Sequence, residues 1–440
     1  MTLLVAPTRS RSAPSAPPPS PLRALVLAFD CHPTLPSLPV VTYNVCKELA
    51  RCLQVTVVSR RQDDGFSVPG AAATDFMNVE ALKRPLDGIA DLLRGGRSVG
   101  WTTKTAFTYP TYLAFEYAVW RRYRQALASH QFDVVLRLSP MSPVLPSPMA
   151  RWCPVPFVVG PVNGGLPFPK QVHGALARER EWLNPLRSLS RYFPYARSSY
   201  RAAAAILVGF QHTVDSLPAD TRDKMIPFPE IGYDPELFHP LDPPPPSHRI
   251  RFVFVGRLVA NKCADVLVEA FARNASLRQH ELVLVGDGPE RGLIEARIEG
   301  HRLQSCVSLV GAKSQQEVGQ VLRSCHVFAF PSIRELGAGV VIEAMASGLP
   351  CVVVDSGAPG SLVDSSRGSK VPLGPRDAMA DHLAEAMASL AADRQRWLAL
   401  RAAALQFATA YTWQRKAENL REVLNWVTGR QPVKPNFYPL

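Results

Sequence analysis

Between Arg23 and Phe29 the chain reads RALVLAF, an unbroken apolar run. Such a run is what a strand buried on both faces of a parallel sheet requires. Apolar positions then recur with helical spacing in VVTYNVCKELARCL, and QVTVVSRR returns to a strand pattern. Strand, helix and strand in that order begin a doubly wound sheet. FDVVLRLSP, VPFVVGPVNGG and AAAAILVGF give three further strands, with the helix-like WRRYRQALASH before the first of them. The pattern predicts an α/β domain over residues 23–237.

FHPLDPPPPSHR interrupts the alternation. Four successive prolines continue neither a helix nor a central strand and make a stiff spacer, so residues 238–249 read as a linker. The alternation then restarts. RIRFVFVGRL, HELVLVGDGPE, CVSLVG, HVFAFPS and LPCVVVDSG are strand-like, and CADVLVEAFARN, RGLIEARIEG, SQQEVGQVLRSC and AGVVIEAMASG are the helices between them. They predict a second parallel sheet in a domain over 250–410. Residues 411–440 hold one more helical segment, WQRKAENLREVLNWV, expected to pack back toward the first domain. Two doubly wound, Rossmann-like domains in tandem leave a cleft between them, and ligands of such sheets bind at the carboxyl ends of the strands.

Composition narrows the class. A chain of 440 residues is too long for one ordinary core and divides naturally into two domains of roughly 200 residues each. Its 47% apolar and 20% charged residues are those of a soluble globular protein. No apolar run approaches the ~18 residues that a membrane-spanning helix needs. Residues 1–22 hold too short an apolar segment for a signal peptide and are rich in Pro, Ser and Ala, so a disordered tail and a cytoplasmic location are expected. None of the eight cysteines forms a Cys-x-x-Cys pair, and several lie in strand-like runs. Free thiols buried as small hydrophobes are expected, with no metal.

The net charge of +12 is unevenly placed: residues 101–201 hold 13 Lys or Arg against 4 Asp or Glu. Such a field suits a phosphate, a phospholipid headgroup or a nucleic acid, the plain alternative being a solvated basic face. No zinc-finger spacing or aromatic-rich RNA-binding strand accompanies it, so nucleic acid is not expected. An anionic membrane surface is the next reading.

Three strand ends in the second domain carry the chemistry. In FVFVGRLVANK, Gly256 permits close backbone approach while Arg257 and Lys262 supply cations, a combination that suits a pyrophosphate. In LVLVGDGPE, Gly286 and Asp287 form a tight turn. In FPSIRELGAGVVIEAMASGLPCVVV, Glu335 and Glu343 flank Gly337, Ala338 and Gly339 at a helix start. Backbone N–H groups there suit an anion, but carboxylates repel one. Ionised carboxylates accept hydrogen bonds from neighbouring hydroxyls, which points to a ligand with anionic and polyol parts, such as a sugar nucleotide. Each piece alone has a bland reading: a surface loop, a simple turn, a helix acid. Neither Gly-x-Gly-x-x-Gly nor the P-loop pattern occurs at these junctions, and no Asp-x-Asp is present.

With these residues in order, the segment from Arg251 to about Val363 resembles the donor half of glycosyltransferase family 4, retaining enzymes of the GT-B fold. The likeness rests on VGRL with a following Lys, VGDGP, FPS with a following Glu, and EAMASGLPCVVVDSG. The first half is similar more loosely, through VGPVNGGLPFP, AAAAILVGF and FPEIGYDPELFHP. The resemblance implies that Arg257 and Lys262 bind the donor pyrophosphate and neutralise the leaving diphosphate. It implies that Glu335 contacts the transferred sugar, Glu343 the ribose hydroxyls, and the N–H groups near Gly337–Gly339 the phosphate, with Gly256, Gly286 and Asp287 on the donor side. It further implies a nucleotide-sugar substrate, no metal or other cofactor, and a glycan or lipid-linked acceptor.

The chain departs from the family pattern in two places. The first loop, FDCHPTLPSLPVV, lacks the usual glycines, and the turn Asn163–Gly164–Gly165 is the expected replacement. The position after FDVV, where relatives carry a histidine, offers Leu136, Arg137 and Leu138, which makes Arg137 an acceptor-side expectation. Two other readings stay open: an epimerase or phosphorylase on the same fold, and a non-catalytic sugar-nucleotide-binding module.

Overall fold

A computed structural model describes residues 20–35, 37–60, 65–79, 101–167, 195–242 and 248–438. The predicted tail up to position 19 and the prolines 243–246 of the linker lie outside the described residues. Residues 20–22 belong to the folded domain, since Leu22 is buried and Arg430 Nη1 donates to the carbonyl of Ser20 at 2.7 Å.

Seven parallel strands form the first sheet: β1 (Arg23–Ala28), β2 (Gln54–Arg60), β3 (Ala73–Met77), β4 (Val134–Ser139), β5 (Phe157–Val162), β6 (Ala205–Val208) and β7 (Met225–Pro227). Their spatial order is β3-β2-β1-β4-β5-β6-β7. Successive side chains of a strand face opposite sides, and β1 uses both. Leu25 and Leu27 join Tyr112 and Phe115 of the helix Trp101–Ala128 in one core. Ala24, Val26 and Ala28 join Val45 and Leu49 of the helix Leu38–Cys52 in the other. Full burial of each such side chain contributes about 1.5–3 kcal/mol, which is why central strands are apolar throughout.

The second sheet contains β8 (Arg251–Val255), β9 (Glu281–Val285), β10 (Val307–Gly311), β11 (Val327–Phe330), β12 (Cys351–Val354) and β13 (Gly368–Val371). All run parallel in the order β10-β9-β8-β11-β12-β13. Among the described residues all eight cysteines are free, and six of them are buried. No described helix is long and apolar enough to cross a membrane.

The final helix, Trp413–Val427, returns to the first domain and lies against Leu38–Cys52. Its Ala417, Leu420, Val423 and Leu424 share a core with Phe228 and Ile231 of the first domain and with β8 of the second. Lys416 is buried in this seam, where its ammonium donates to the carbonyl of Pro229 and stands 3.7 Å from the ring centroid of Phe228. The backbone crosses between the domains near Tyr233 and again near Thr412, and these crossings are bridged. Tyr233 N–H donates to Tyr411 O at 3.1 Å, and Trp413 N–H donates to Tyr233 O at 3.3 Å.

Candidate active site

In the second sheet the chain moves outward from β8 through β9 to β10, then restarts at β11 and moves the other way. A crevice opens at the carboxyl ends where the direction reverses. That point lies between β8 and β11, and the loops leaving these two strands carry Arg257, Lys262 and Glu335. In the first sheet the same reversal lies between β1 and β4. There Asp30 N–H donates to Ser139 Oγ at 3.1 Å, and Asp30 pairs with Arg60 at 3.0 Å.

Leaving β8, the chain passes Gly256 and Arg257 and tightens into a short turn at Ala260–Lys262. Lys262 Nζ stands 2.5 Å from Glu335 Oε1 and 5.0 Å from the centroid of Phe330. Ser332 Oγ donates to the same carboxylate oxygen at 2.5 Å. The two charged side chains are only 20% and 13% exposed, so the pair is less screened than a surface ion pair. Arg257 is exposed, and its guanidinium has no hydrogen bond or ion pair among the described residues.

The turn after β9 is pressed onto the turn after β8. Leu258 N–H donates to Asp287 O at 2.9 Å. Gly286 has φ +140°, and a β-carbon there would lie 1.9 Å from Gly256 O. Only glycine allows this approach. The Asp287 side chain is exposed, accepts from Gly288 N–H at 2.7 Å and lies 3.5 Å from Arg291 Nη1. Its place in the structure is that of a turn-closing group.

After β11 the loop Pro331–Ala338 is fastened at several backbone atoms. Ile333 N–H donates to Asn261 O at 3.0 Å, Ser356 Oγ donates to Ile333 O at 2.7 Å, and Ala358 N–H donates to Glu335 O at 3.0 Å. Ala338 is left-handed at φ 55° and precedes the helix Gly339–Ala346, which has no side-chain cap. A residue bearing a β-carbon is disfavoured in that conformation, and here it ends a loop in which the N–H groups of Leu336, Gly337 and Ala338 have no hydrogen-bond acceptor among the described residues. Glu343 sits one turn into the helix, partly buried, and its carboxyl has no hydrogen-bond partner among the described residues.

Burial raises the Glu343 carboxyl to about 7. The fold thus prefers it protonated. That contribution is complete below the carboxyl's ordinary range and is lost as pH rises through about 7. Glu343→Gln, neutral at every pH, is expected to match the wild type in melting temperature near pH 5. It should exceed the wild type by several degrees at pH 8, for a gain of about 1–3 kcal/mol. Equal melting temperatures at pH 8 would show that the charge is already compensated.

Two first-domain expectations are corrected. Arg137 does not face the crevice. It is 1% exposed, because the alternation of β4 turns it with Val135 toward the helix Trp101–Ala128. There its Nη2 donates to Leu145 O at 2.8 Å, and its guanidinium lies 5.4 Å from the Tyr112 ring centroid. Beside it Tyr112 donates to Glu116, whose carboxyl is raised by burial. Gly164 is likewise no open phosphate turn, since its N–H donates to Thr213 Oγ1 at 3.1 Å. Gly165 packs against His212 and Ser216.

Asn163 does reach the second domain. Its Nδ2 donates to Leu336 O at 2.8 Å and to Glu230 Oε1 at 2.5 Å. The sequence reading passed over Glu230, Ser332 and Asn261. For Glu230 a signal existed, an acid enclosed by apolar and proline residues in FPEIG.

Residues 249–393 match the family described as glycosyl transferases group 1. A D-inositol 3-phosphate glycosyltransferase of Stackebrandtia nassauensis is 30% identical over 243 residues, which cover 51% of this chain and 54% of that protein. The chain thus spans about half the length of this curated relative. Among solved structures, the sucrose-phosphate synthase of Thermosynechococcus elongatus superposes with a TM-score of 0.63 at 17% identity, covering 93% of this chain and 100% of that one. HepE of Anabaena, solved with UDP and glucose, gives 0.59 at 16% identity, covering 92% and 99%. These likenesses establish the fold: two parallel-sheet, Rossmann-like domains in the GT-B arrangement.

Proposed function

We propose that this chain, a group 1 glycosyl transferase by its second domain, moves a sugar from a nucleotide-sugar donor to a glycan or lipid-linked acceptor with retention of anomeric configuration. The observation that carries this reading is the Lys262–Glu335 pair, fixed at the switch point of the second sheet beside the unpaired Arg257. Cations there stabilise charge developing on a leaving diphosphate without reorganising. A carboxylate beside them accepts hydrogen bonds from sugar hydroxyls and faces the positive charge of an oxocarbenium-like sugar. The set needs no metal in this reading, because Arg257 and Lys262 meet the diphosphate directly. HepE, a structural neighbour, was solved with UDP and glucose, which is consistent with a nucleotide-sugar ligand. A panel of UDP-, GDP- and ADP-sugars should include one that raises the melting temperature in proportion to ln(1 + [L]/Kd). That sugar nucleotide should release free diphosphate only when an acceptor is present. Release without acceptor would favour an epimerase or a hydrolytic side reaction, and no shift across the panel would overturn the reading.

Glu343 supplies the ribose contact in this scheme. Its ionised form accepts from hydroxyls more strongly than the neutral acid, so donor affinity should rise with pH through about 7.

The basic first domain is the acceptor half and, we propose, rests on an anionic membrane at its cytoplasmic face. Trp120, Trp152 and Tyr195 follow one another with ring centroids 6.1 and 6.3 Å apart. Arg121, Arg151 and Arg197 are exposed next to them in sequence. Aromatic rings and arginines together favour a headgroup region. Binding to vesicles containing phosphatidylglycerol should exceed binding to phosphatidylcholine vesicles at low salt and weaken as salt rises. Equal binding would remove the membrane from the scheme.

A further inference from the structure

Most anchors of the donor loop after β11 come from the second domain; besides a long contact from Arg334 Nη2 to Leu166 O at 3.5 Å, one comes from the first. The carbonyl of Leu336, next to Glu335, accepts from Asn163 Nδ2 of the first domain at 2.8 Å. Asn163 is itself immobilised on all sides. Its backbone N–H donates to Met141 O at 2.7 Å, and its Oδ1 is 3.2 Å from Thr213 Oγ1 and 3.1 Å from His212 Nε2. The other proton of Nδ2 goes to Glu230 Oε1 at 2.5 Å. Glu230 is 7% exposed, and its Oε2 is buried without a hydrogen-bond partner. Burying a carboxyl there is costly; burial holds it above its ordinary range, and the buried Lys416 is the charge that opposes this. The place of Glu230 explains the burial: a β-carbon on Gly337 would lie 2.4 Å from Glu230 Oε1, so the carboxylate lies directly against the loop backbone after Leu336.

We propose that Asn163 and Glu230 are positioning residues, a cross-domain clamp that sets the Leu336–Gly337 backbone and thereby the placement of the Glu335 carboxylate. Glu230 fixes the amide rotamer by accepting from one Nδ2 proton, which directs the other at Leu336 O. The amide is suited to the task because it offers two donors on one nitrogen and an acceptor on the opposite side. An aspartate at 163 keeps the shape and loses both donors, placing a carboxylate oxygen against Leu336 O and Glu230. The clamp explains why Asn163, alone of the GPVNGG turn, reaches the donor loop.

The inference rests on the transferase reading for its kinetic consequence but not for its structural one, so two measurements on the full chain separate them. In hydrogen–deuterium exchange, Asn163→Asp should speed exchange of the hydrogen-bonded amides that hold this loop, those of Ile333, Val341 and Ala358, by at least ~10-fold. The strands of both sheets should keep wild-type protection. Glu230→Leu should do the same to a smaller degree. Glu230→Gln, which retains an acceptor oxygen for Asn163, should restore wild-type exchange. With an active donor, Asn163→Asp should lower kcat by ~10²-fold, a loss of the size a small misplacement of a reacting group produces. Its affinity for nucleoside diphosphate should change less than threefold, and Glu230→Gln should regain activity. Unchanged loop exchange in Asn163→Asp overturns the clamp whether or not the protein turns over a sugar nucleotide. A Glu230→Gln variant as impaired as Glu230→Leu overturns it too. Loop exchange that responds as expected in a chain with no turnover would leave the clamp standing and defeat the transferase reading alone.

Discussion

Glu335→Ala should reduce turnover by at least ~10³-fold, the loss typical of removing a group that stabilises transition-state charge. It should leave nucleoside diphosphate bound at least as tightly as by the wild type. In the free protein Lys262 Nζ is 2.5 Å from the Glu335 carboxylate, so any diphosphate must compete with that carboxylate for the ammonium. Deleting the acid leaves a half-buried cation uncompensated, and a diphosphate restores its partner. Binding and turnover therefore move in opposite directions. Calorimetry with UDP, GDP and ADP, beside steady-state rates, reads both. If diphosphate affinity falls together with turnover, Glu335 belongs to the phosphate site and the division of roles is wrong.

Lys262→Ala gives the complementary result. Diphosphate affinity should fall by about 10–100-fold, or about 1.4–2.7 kcal/mol. Turnover should fall as well, because the leaving group loses a fixed cation. Part of the loss comes from Glu335, whose carboxylate is then without its cation beside an incoming anion. The double variant Lys262→Ala/Glu335→Ala should accordingly bind diphosphate more tightly than Lys262→Ala. Residues in direct contact are where additivity fails. If removing Glu335 changes diphosphate affinity by the same factor with and without Lys262, the pair is only a resting contact with no part in binding, and Arg257 is then the principal phosphate cation.

The fold was legible wherever both faces of a strand are buried. ALVLAF and LPCVVV are apolar throughout, and VVLRL is apolar but for Arg137, because each lies in the middle of a sheet between two packed layers. β3, β7 and β13 escaped notice for the opposite reason. They are edge strands, and ATDFM, MIP and GSKV are short or mix polar residues into the run. The helix Trp101–Ala128 was read only from its end, since Pro110 interrupts the pattern within it. At the site, Arg257, Lys262 and Glu335 could be read because residue type and place after a strand coincide. The ion pair between Lys262 and Glu335 could not, since it depends on how two separate loops fold toward each other. Arg137 misled for a geometric reason: β4 is buried on both sides, so nothing in its composition tells which side chains face the crevice. Glu230 is the harder case, a buried acid whose partner, Asn163, is supplied by another strand end.

The paired crossings at Tyr233 and Thr412 have a mechanical consequence. Two strands of chain that pass between rigid bodies at separate points resist rotation about any single line. Here they pass side by side, bridged through Tyr233 N–H and O, an arrangement that would serve as a pin. Change in the angle between the domains is then a swing about that pin, with the arc growing with distance from it. Glu230, three positions along the chain from Tyr233, travels little in such a swing. Leu166, whose carbonyl lies 3.5 Å from Arg334 Nη2 across the same gap, is a second first-domain contact to the loop after β11. Any such swing therefore has to be accommodated at the two contacts that join the first domain to this loop, Asn163 to Leu336 and Arg334 to Leu166.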